Sequence, residues 1–141
     1  MRQRRRLSGP LLDRIDLLLA VGRPSADELR APAVMTSEHA RERVVAARER
    51  QLARLDGSGA TCNGHMDTAM VRRHVRLDSA AERILHTTYD RGTLSARGRE
   101  RVLRVARTIA DLEASDAVTK VHLMRAIGLR QDAGAAPEEA A

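Results

Sequence analysis

The sequence predicts a mainly α fold, in which a short helix-strand piece precedes a set of packed helices. The chain has no Phe, no Trp and one Tyr, so its core must be made of Leu, Val, Ile, Ala and Met, a choice that favours helix on helix. Apolar residues recur three and four apart in several segments. Those segments open on residues that cap helices, Ser25, Ser79, Ser95 and Thr119.

The elements follow in order. Met1 to Leu7 carries Arg2, Arg4, Arg5 and Arg6, a block of like charge that suits a solvated or phosphate-contacting edge. Gly9-Pro10 punctuates it, and Pro10 fits the first position of a short helix reaching Asp13 or Arg14. The nearly continuous apolar run Ile15 to Val21 reads as a strand, with no sheet in this chain to join. Ser25-x-x-Glu28 is a capping box, which sets a short helix over Ala26 to Arg30, ended by Pro32. Ser37 to Leu55 reads as a long amphipathic helix with Ala40, Val44, Ala47 and Leu55 on one stripe. The stretch from Asp56 to Gly64 is rich in Gly, Ser and Asn and predicts a flexible loop.

Asp67 opens a short helix on which Met70, Val71 and His74 share a face. Ser79-x-x-Glu82 is a second capping box, followed by Ala81, Ile84, Leu85, Thr88 and Tyr89 as a core stripe, with Gly92 as the stop. Ser95 caps a helix running to about Glu113, with Val102, Val105, Ala106 and Ile109 inward. Thr119 caps the last helix, which turns Leu123, Met124 and Ile127 inward and closes at Gly128. The tail from Gln131 to Ala141 has too little apolar bulk to order itself.

Composition narrows the function classes. No apolar run approaches the roughly 18 residues of a membrane span, and no apolar segment follows the Arg-rich start as in a secretory signal, so a cytoplasmic protein with no membrane partner is expected. Cys62 is a single cysteine in a loop, without a partner for a disulfide. His39, His65, His74, His86 and His122 lack ligand spacing, so no metal site is expected. The charge of +6, carried by 24 Arg and one Lys against 19 acidic residues, attracts polyanions. There is no aromatic stacking platform, zinc motif or recognition helix for reading bases.

Arginines are the candidates for chemistry. Arg14 lies in Ser8-Gly9-Pro10-Leu11-Leu12-Asp13-Arg14-Ile15-Asp16, where a helical turn feeds the apolar run. Such a junction holds an arginine at a subunit edge or cleft; the alternative is a salt bridge to Asp13 or Asp16. Arg97, Arg101 and Arg104 fall within about 60° of one another on their helix, away from its apolar stripe. Spacing alone reads them as a solvated face.

The Arg14 segment, together with residues 94 to 112 (Leu-Ser-Ala-Arg-Gly-Arg-Glu-Arg-Val-Leu-Arg-Val-Ala-Arg-Thr-Ile-Ala-Asp-Leu), resembles the end of the ATPase core and the lid helix of magnesium-chelatase-like AAA+ ATPases. The likeness is strongest to the bacterial ComM/YifB family and covers residues 3 to 130. It implies a remnant of the AAA+ core over residues 1–35, a helical lid over 36–130 and a disordered tail over 131–141. It also implies that Arg14 is an arginine finger acting in trans and that Arg97, at the Ser-x-Arg position, is sensor 2. ATP and Mg²⁺ would belong to the complete ATPase, and neighbouring AAA+ subunits of a hexameric ring would be its partners. DNA contacted through phosphates would be a further partner, as in a branch-migration motor of natural transformation.

No Gly-x-x-x-x-Gly-Lys-Ser/Thr phosphate loop and no apolar strand ending in Asp-Glu occur in the sequence. The chain is therefore expected to be the C-terminal part of such an ATPase, and inactive by itself. Three alternatives stay open: an ATPase subunit of a metal chelatase, a non-catalytic basic module that binds nucleic acid or a partner ATPase, and a fragment with no independent function.

Overall fold

Short polar side chains set most of the helix starts, because each can accept from a backbone N–H that the first turn leaves unpaired. In the computed structural model, residues 14–19 and 21–131 are described. Ser25 and Glu28 form the expected reciprocal box at the start of α1 (Ala26–Arg30). Thr36 caps α2 (Ser37–Leu55) and Asp67 caps α3 (Thr68–His74). The cap of α4 (Ser79–Asp90) is Asp78, one residue before the expected Ser79, with its carboxylate 2.6 Å from the Ala81 N–H. A charged acceptor beside the positive helix end outcompetes a hydroxyl. Ser95 caps α5 (Ala96–Leu112), accepting from Gly98 at 3.0 Å.

The last helix, α6 (Lys120–Gln131), runs through Gly128 rather than stopping there. The chain is mainly α. Among the described residues no strand forms; the nearest approach is an isolated parallel bridge between Leu77 and Val118.

The strand expected over Ile15 to Val21 is thus absent from its described residues. A strand needs a neighbour for its N–H and C=O groups, and here one backbone bond, Leu18 N–H to Leu129 C=O at 2.8 Å, ties the segment to α6. Leu17, Leu19 and Val21 remain exposed. The expected short helix ending at Asp13 or Arg14 and the tail beyond Gln131 fall outside the described residues, apart from Arg14 itself.

Helix α5 is the centre of the packing. It lies chiefly against α6 and α2, with α3 and α4 alongside. Val102, Ala106 and Ala110 of α5 meet Leu123 and Ala126 of α6, Leu55 of α2, Val71 of α3 and Ala81 and Leu85 of α4 in one apolar cluster. The stripe expected on α2 holds only in its second half: Ala47, Gln51 and Leu55 are buried, whereas Val44 and Val45 are exposed. Tyr89 and Met124, expected inward, are also exposed.

The segment after α2, expected to be a flexible loop, folds back into the core. Gly57 and Gly59 adopt positive φ (70° and 80°), which glycine does without steric cost. That reversal buries Ala60, Asn63 and Met66. Asn63 sits in a 3₁₀ turn (Asn63–His65) and is 1% exposed.

What fixes Asn63 is a buried polar centre around Asp111, itself 0% exposed. Arg54 of α2 grips the Asp111 carboxylate with both Nη atoms, at 2.7 Å each. Arg107, one turn earlier on α5, donates its Nε at 3.2 Å. Asn63 Nδ2 donates at 2.8 Å, and its Oδ1 accepts from Arg54 at 3.0 Å. Arg107 is 1% exposed, and burial works against its charge while Asp111 sustains it. Its Nη groups also reach the carbonyls of Ser115 and, at 2.7 Å, Asp116. These belong to the turn after α5, where Ala114 takes φ 55°, a conformation that costs a non-glycine residue roughly 1–2 kcal/mol. The Arg107 bonds hold that turn.

Removing one member of a buried ion network leaves the others charged and unpaired. Asp111→Ala is therefore expected to lower the unfolding free energy by about 3–5 kcal/mol, a large share of the roughly 5–15 kcal/mol of an ordinary domain. Urea unfolding of the two proteins measures it. A loss under about 1 kcal/mol would put the network in the class of solvated surface pairs.

Candidate functional site

Helix α5 begins with an exposed arginine over free backbone donors. Ser95 takes the Gly98 N–H, which leaves the N–H groups of Ala96 and Arg97 without an acceptor among the described residues, at the positive end of a 17-residue helix. Arg97 is exposed and has no side-chain hydrogen bond or ion pair among the described residues. A free guanidinium beside free N–H groups is an arrangement suited to phosphate oxygens.

One turn further along, Arg101 does something else. Its guanidinium donates to the Arg14 carbonyl and, at 2.7 Å, to the Asp16 carboxylate. Arg130 of α6 donates to the Ile15 carbonyl at 3.0 Å. With the Leu18 to Leu129 bond, these contacts lay residues 14–19 as a strap across the start of α5 and the end of α6. Gly98 suits the cap itself: a Cβ there would come within 3.2 Å of the Ser95 Oγ, whereas the Arg130 guanidinium, at 3.8 Å, would be in ordinary contact.

The strap presents Arg14 as exposed. Its side chain has no partner among the described residues, and Asp16, one of the two carboxylates that could have paired with it, is held by Arg101. Asp13 lies outside the described residues. Arg14 and Arg97 are therefore both attached to the first two turns of α5, and neither guanidinium has a partner among the described residues.

The solvated arginine face expected on α5 is a correction in part. Arg97 fits it, but the side chain of Arg101 is only 20% exposed and Arg104, at 23%, pairs with Glu100 at 3.6 Å. Sequence spacing placed these three on one side of the helix; it carried no information that a strap 85 residues away would cover part of that side. Reasoning from stripes also missed Arg107 and Asp111. Their four-residue spacing was a usable signal, since a cation and a carboxylate one turn apart can neutralise each other when buried.

The other candidates offer less. Cys62 is half-buried; burial raises its thiol pKa, but Arg48 and the backbone N–H groups of His65 and Gly64 more than reverse this and leave it lowered. His122 is buried, with Nδ1 accepting from the Thr119 N–H at 3.0 Å and Nε2 2.9 Å from Glu113. That bond, with Arg125, holds the Glu113 carboxyl below its ordinary range. No group of three or more His, Cys, Asp or Glu among the described residues is placed to hold a metal. No helix among them is long and apolar enough to cross a membrane.

Comparison with known proteins adds a family. Residues 34–130 match the model of the family described as magnesium chelatase, subunit ChlI C-terminal. The chain is 39% identical over 132 residues to the uncharacterized protein YifB of Escherichia coli (strain K12), covering 92% of this chain and 25% of that protein. It is 38% identical over 126 residues to an uncharacterized protein of Mycobacterium tuberculosis, covering 89% and 25%. To the competence protein ComM of Haemophilus influenzae it is 33% identical over 132 residues, covering 92% and 25%. The chain thus spans about a quarter of the length of these relatives.

The strap's attachment can be checked in the chain itself. Replacing both Arg101 and Arg130 by Ala removes the charge-assisted contacts to its carbonyls, and the Leu18 amide is expected to exchange at least tenfold faster, a loss of about 1.4 kcal/mol or more. Amides in the middle of α5 should not change. Unaltered protection at Leu18 would show that the strap is held by something other than these arginines.

Proposed function

Because the chain belongs to the magnesium chelatase subunit ChlI C-terminal family, we propose that it is the lid and intersubunit module of a magnesium-chelatase-like AAA+ ATPase of the ComM/YifB kind. On this reading Arg97 is the sensor 2 residue for the nucleotide of its own subunit. Arg14 is the arginine finger for the nucleotide of the neighbour, in a hexameric ring in the cytoplasm. The observation that carries the proposal is the pairing at one end of α5: a free Arg97 over unpaired N–H groups, and one turn on an Arg101 that pins the strap bearing Arg14.

The chemistry fits the residues. In phosphoryl transfer, charge spreads over the outer oxygens of the transferred group, and a planar guanidinium can meet two of them together. ATP with Mg²⁺ supplies the transferable phosphoryl group in the complete ATPase; this chain carries neither a phosphate loop nor an acidic strand end to hold it. Its residues can orient and neutralise phosphate, and the strap links two such residues through one rigid helix. Any rotation of α5 produced by contact at Arg97 would be passed to Arg14 through Arg101.

Two observations favour a DNA-handling motor over metal insertion. The Haemophilus relative is named a competence protein, and the chain carries a charge of +6, which suits a polyanionic partner. Two rival readings remain: an ATPase subunit of a metal chelatase, which would use Arg14 and Arg97 in the same way on a different task, and a non-catalytic basic module, which gives Arg14 no partner across a subunit boundary.

The test uses a full-length protein carrying this C-terminal sequence. Arg14→Ala and Arg97→Ala should each lower ATP turnover, the first by on the order of 10³- to 10⁵-fold. Mixing Arg14→Ala subunits with subunits defective in the phosphate loop should restore part of the activity, since some interfaces then join an intact finger to an intact loop. Mixing Arg97→Ala subunits with the same partner should restore none. Full activity in Arg14→Ala alone, or no restoration in rings shown to be mixed, would refute the assignment.

A further inference from the structure

At the other end of α5 the last turns of three helices converge on an open groove of ≈ 540 Å³. Arg50 and Arg54 reach it from α2, Arg73 and His74 from α3, Arg76 from just beyond α3, and Arg107 from α5. Asp111 and Asp116 are the carboxylates in its lining. We propose that this groove binds the phosphodiester backbone of a nucleic acid strand, without reading its sequence.

The charges in the groove are not equivalent. Asp111 is saturated by Arg54, Arg107 and Asn63, so it neutralises nothing further. Those two arginines form a fixed floor. Arg73 and Arg76 are exposed and have no side-chain partner among the described residues. Arg50 is exposed and reaches only the Asp111 carbonyl, at 3.3 Å. Three arginines therefore stand against the Asp116 carboxylate alone. Burial first, then the nearby Arg73 and Arg54, lowers the pKa of His74. The groove thus carries an uncompensated positive potential before any ligand arrives.

Its position decides the kind of anion. Helix C-termini point partial negative charge into the groove, which disfavours a compact anion seated at its floor, unlike the helix N-terminus at Arg97. The exposed cations Arg50, Arg73 and Arg76 instead offer forked guanidinium groups that can meet successive phosphates of a strand laid across them. No Phe, Tyr or Trp lines the groove, so it offers bases no broad aromatic platform and the backbone is what its arginines can recognise. Arg107 lies ten residues beyond Arg97, about 15 Å along the helix, so the groove is separate from the nucleotide end.

The inference gives the DNA-handling part of the proposed function its site and rests on that part alone. Strand binding is therefore read on the 141-residue chain with no nucleotide present, so that failure here leaves the roles of Arg14 and Arg97 untouched. Fluorescein-labelled oligothymidylate and a random-sequence duplex are titrated over a range of salt concentrations. Arg73→Ala with Arg76→Ala is compared with the equal charge loss Arg83→Ala with Arg91→Ala on exposed positions of α4 and its end, and circular dichroism checks that both remain helical. The groove variant should bind duplex at least tenfold more weakly than the control pair, and the slope of log affinity against log salt should fall by about 1 to 2. Equal weakening in the two variants, or no binding by the unaltered chain, would overturn the proposal. So would polyglutamate binding as tightly as DNA and being lost in the same variant, which would assign the groove to an acidic protein.

Discussion

A carboxylate with no access to solvent has to be neutralised in place, and Asp111 imposes that demand on the whole domain. Its partners come from distant parts of the chain: Arg54 from α2, Asn63 from the turn after it, Arg107 from α5. Meeting the demand sets where α2 crosses α5, draws the Gly-rich segment back onto the core, and through Arg107 closes the turn toward α6. The apolar cluster supplies the bulk of the burial, but Leu, Val and Ala contacts tolerate sliding. A bidentate arginine grip does not, and it gives this aromatic-poor core a single register.

Helix α5 consequently has two ends of different character. Its C-terminal end is locked by the Asp111 centre and rimmed by arginines. Its N-terminal end is capped by Ser95, holds the strap through Arg101, and leaves Arg97 free. On the proposed reading, a helix fixed at one end by a buried ion network can act as a rigid arm at the other, so contact at Arg97 and the placement of Arg14 become parts of one movement. The first half of α2, with Val44 and Val45 exposed, lies outside this unit.

Much of the helical layout was legible in the sequence because caps are local. Ser25 with Glu28 marked α1, and the bounds of α2 and the cap of α5 could be read from Ser37 to Leu55 and from Ser95. Errors arose wherever the deciding partner was remote or of a stronger kind. Asp78 displaced Ser79 as a cap because a carboxylate is the better acceptor at a helix start. The apolar run after Arg14 read as a strand, yet a strand is a property of two chains side by side and none was available. The loop after Leu55 read as flexible because its own composition says so, while Asn63 finds Asp111 only 48 residues later. In the candidate site, the exposure of Arg97 followed from helix spacing. The grip of Arg101 on the strap did not, since polarity alone cannot tell a solvated arginine from one holding a distant carbonyl.

The most direct measurement is an experimental structure of a full-length ATPase carrying this C-terminal sequence, bound to a non-hydrolysable ATP analogue. The lid assignment predicts Arg97 within about 2.7–3.2 Å of a phosphate oxygen of its own subunit's nucleotide, and Arg14 reaching the nucleotide of the adjacent subunit with its carbonyl still held by Arg101. A structure in which the start of α5 faces solvent away from any nucleotide, or in which Arg14 folds onto a carboxylate of its own subunit, would contradict it.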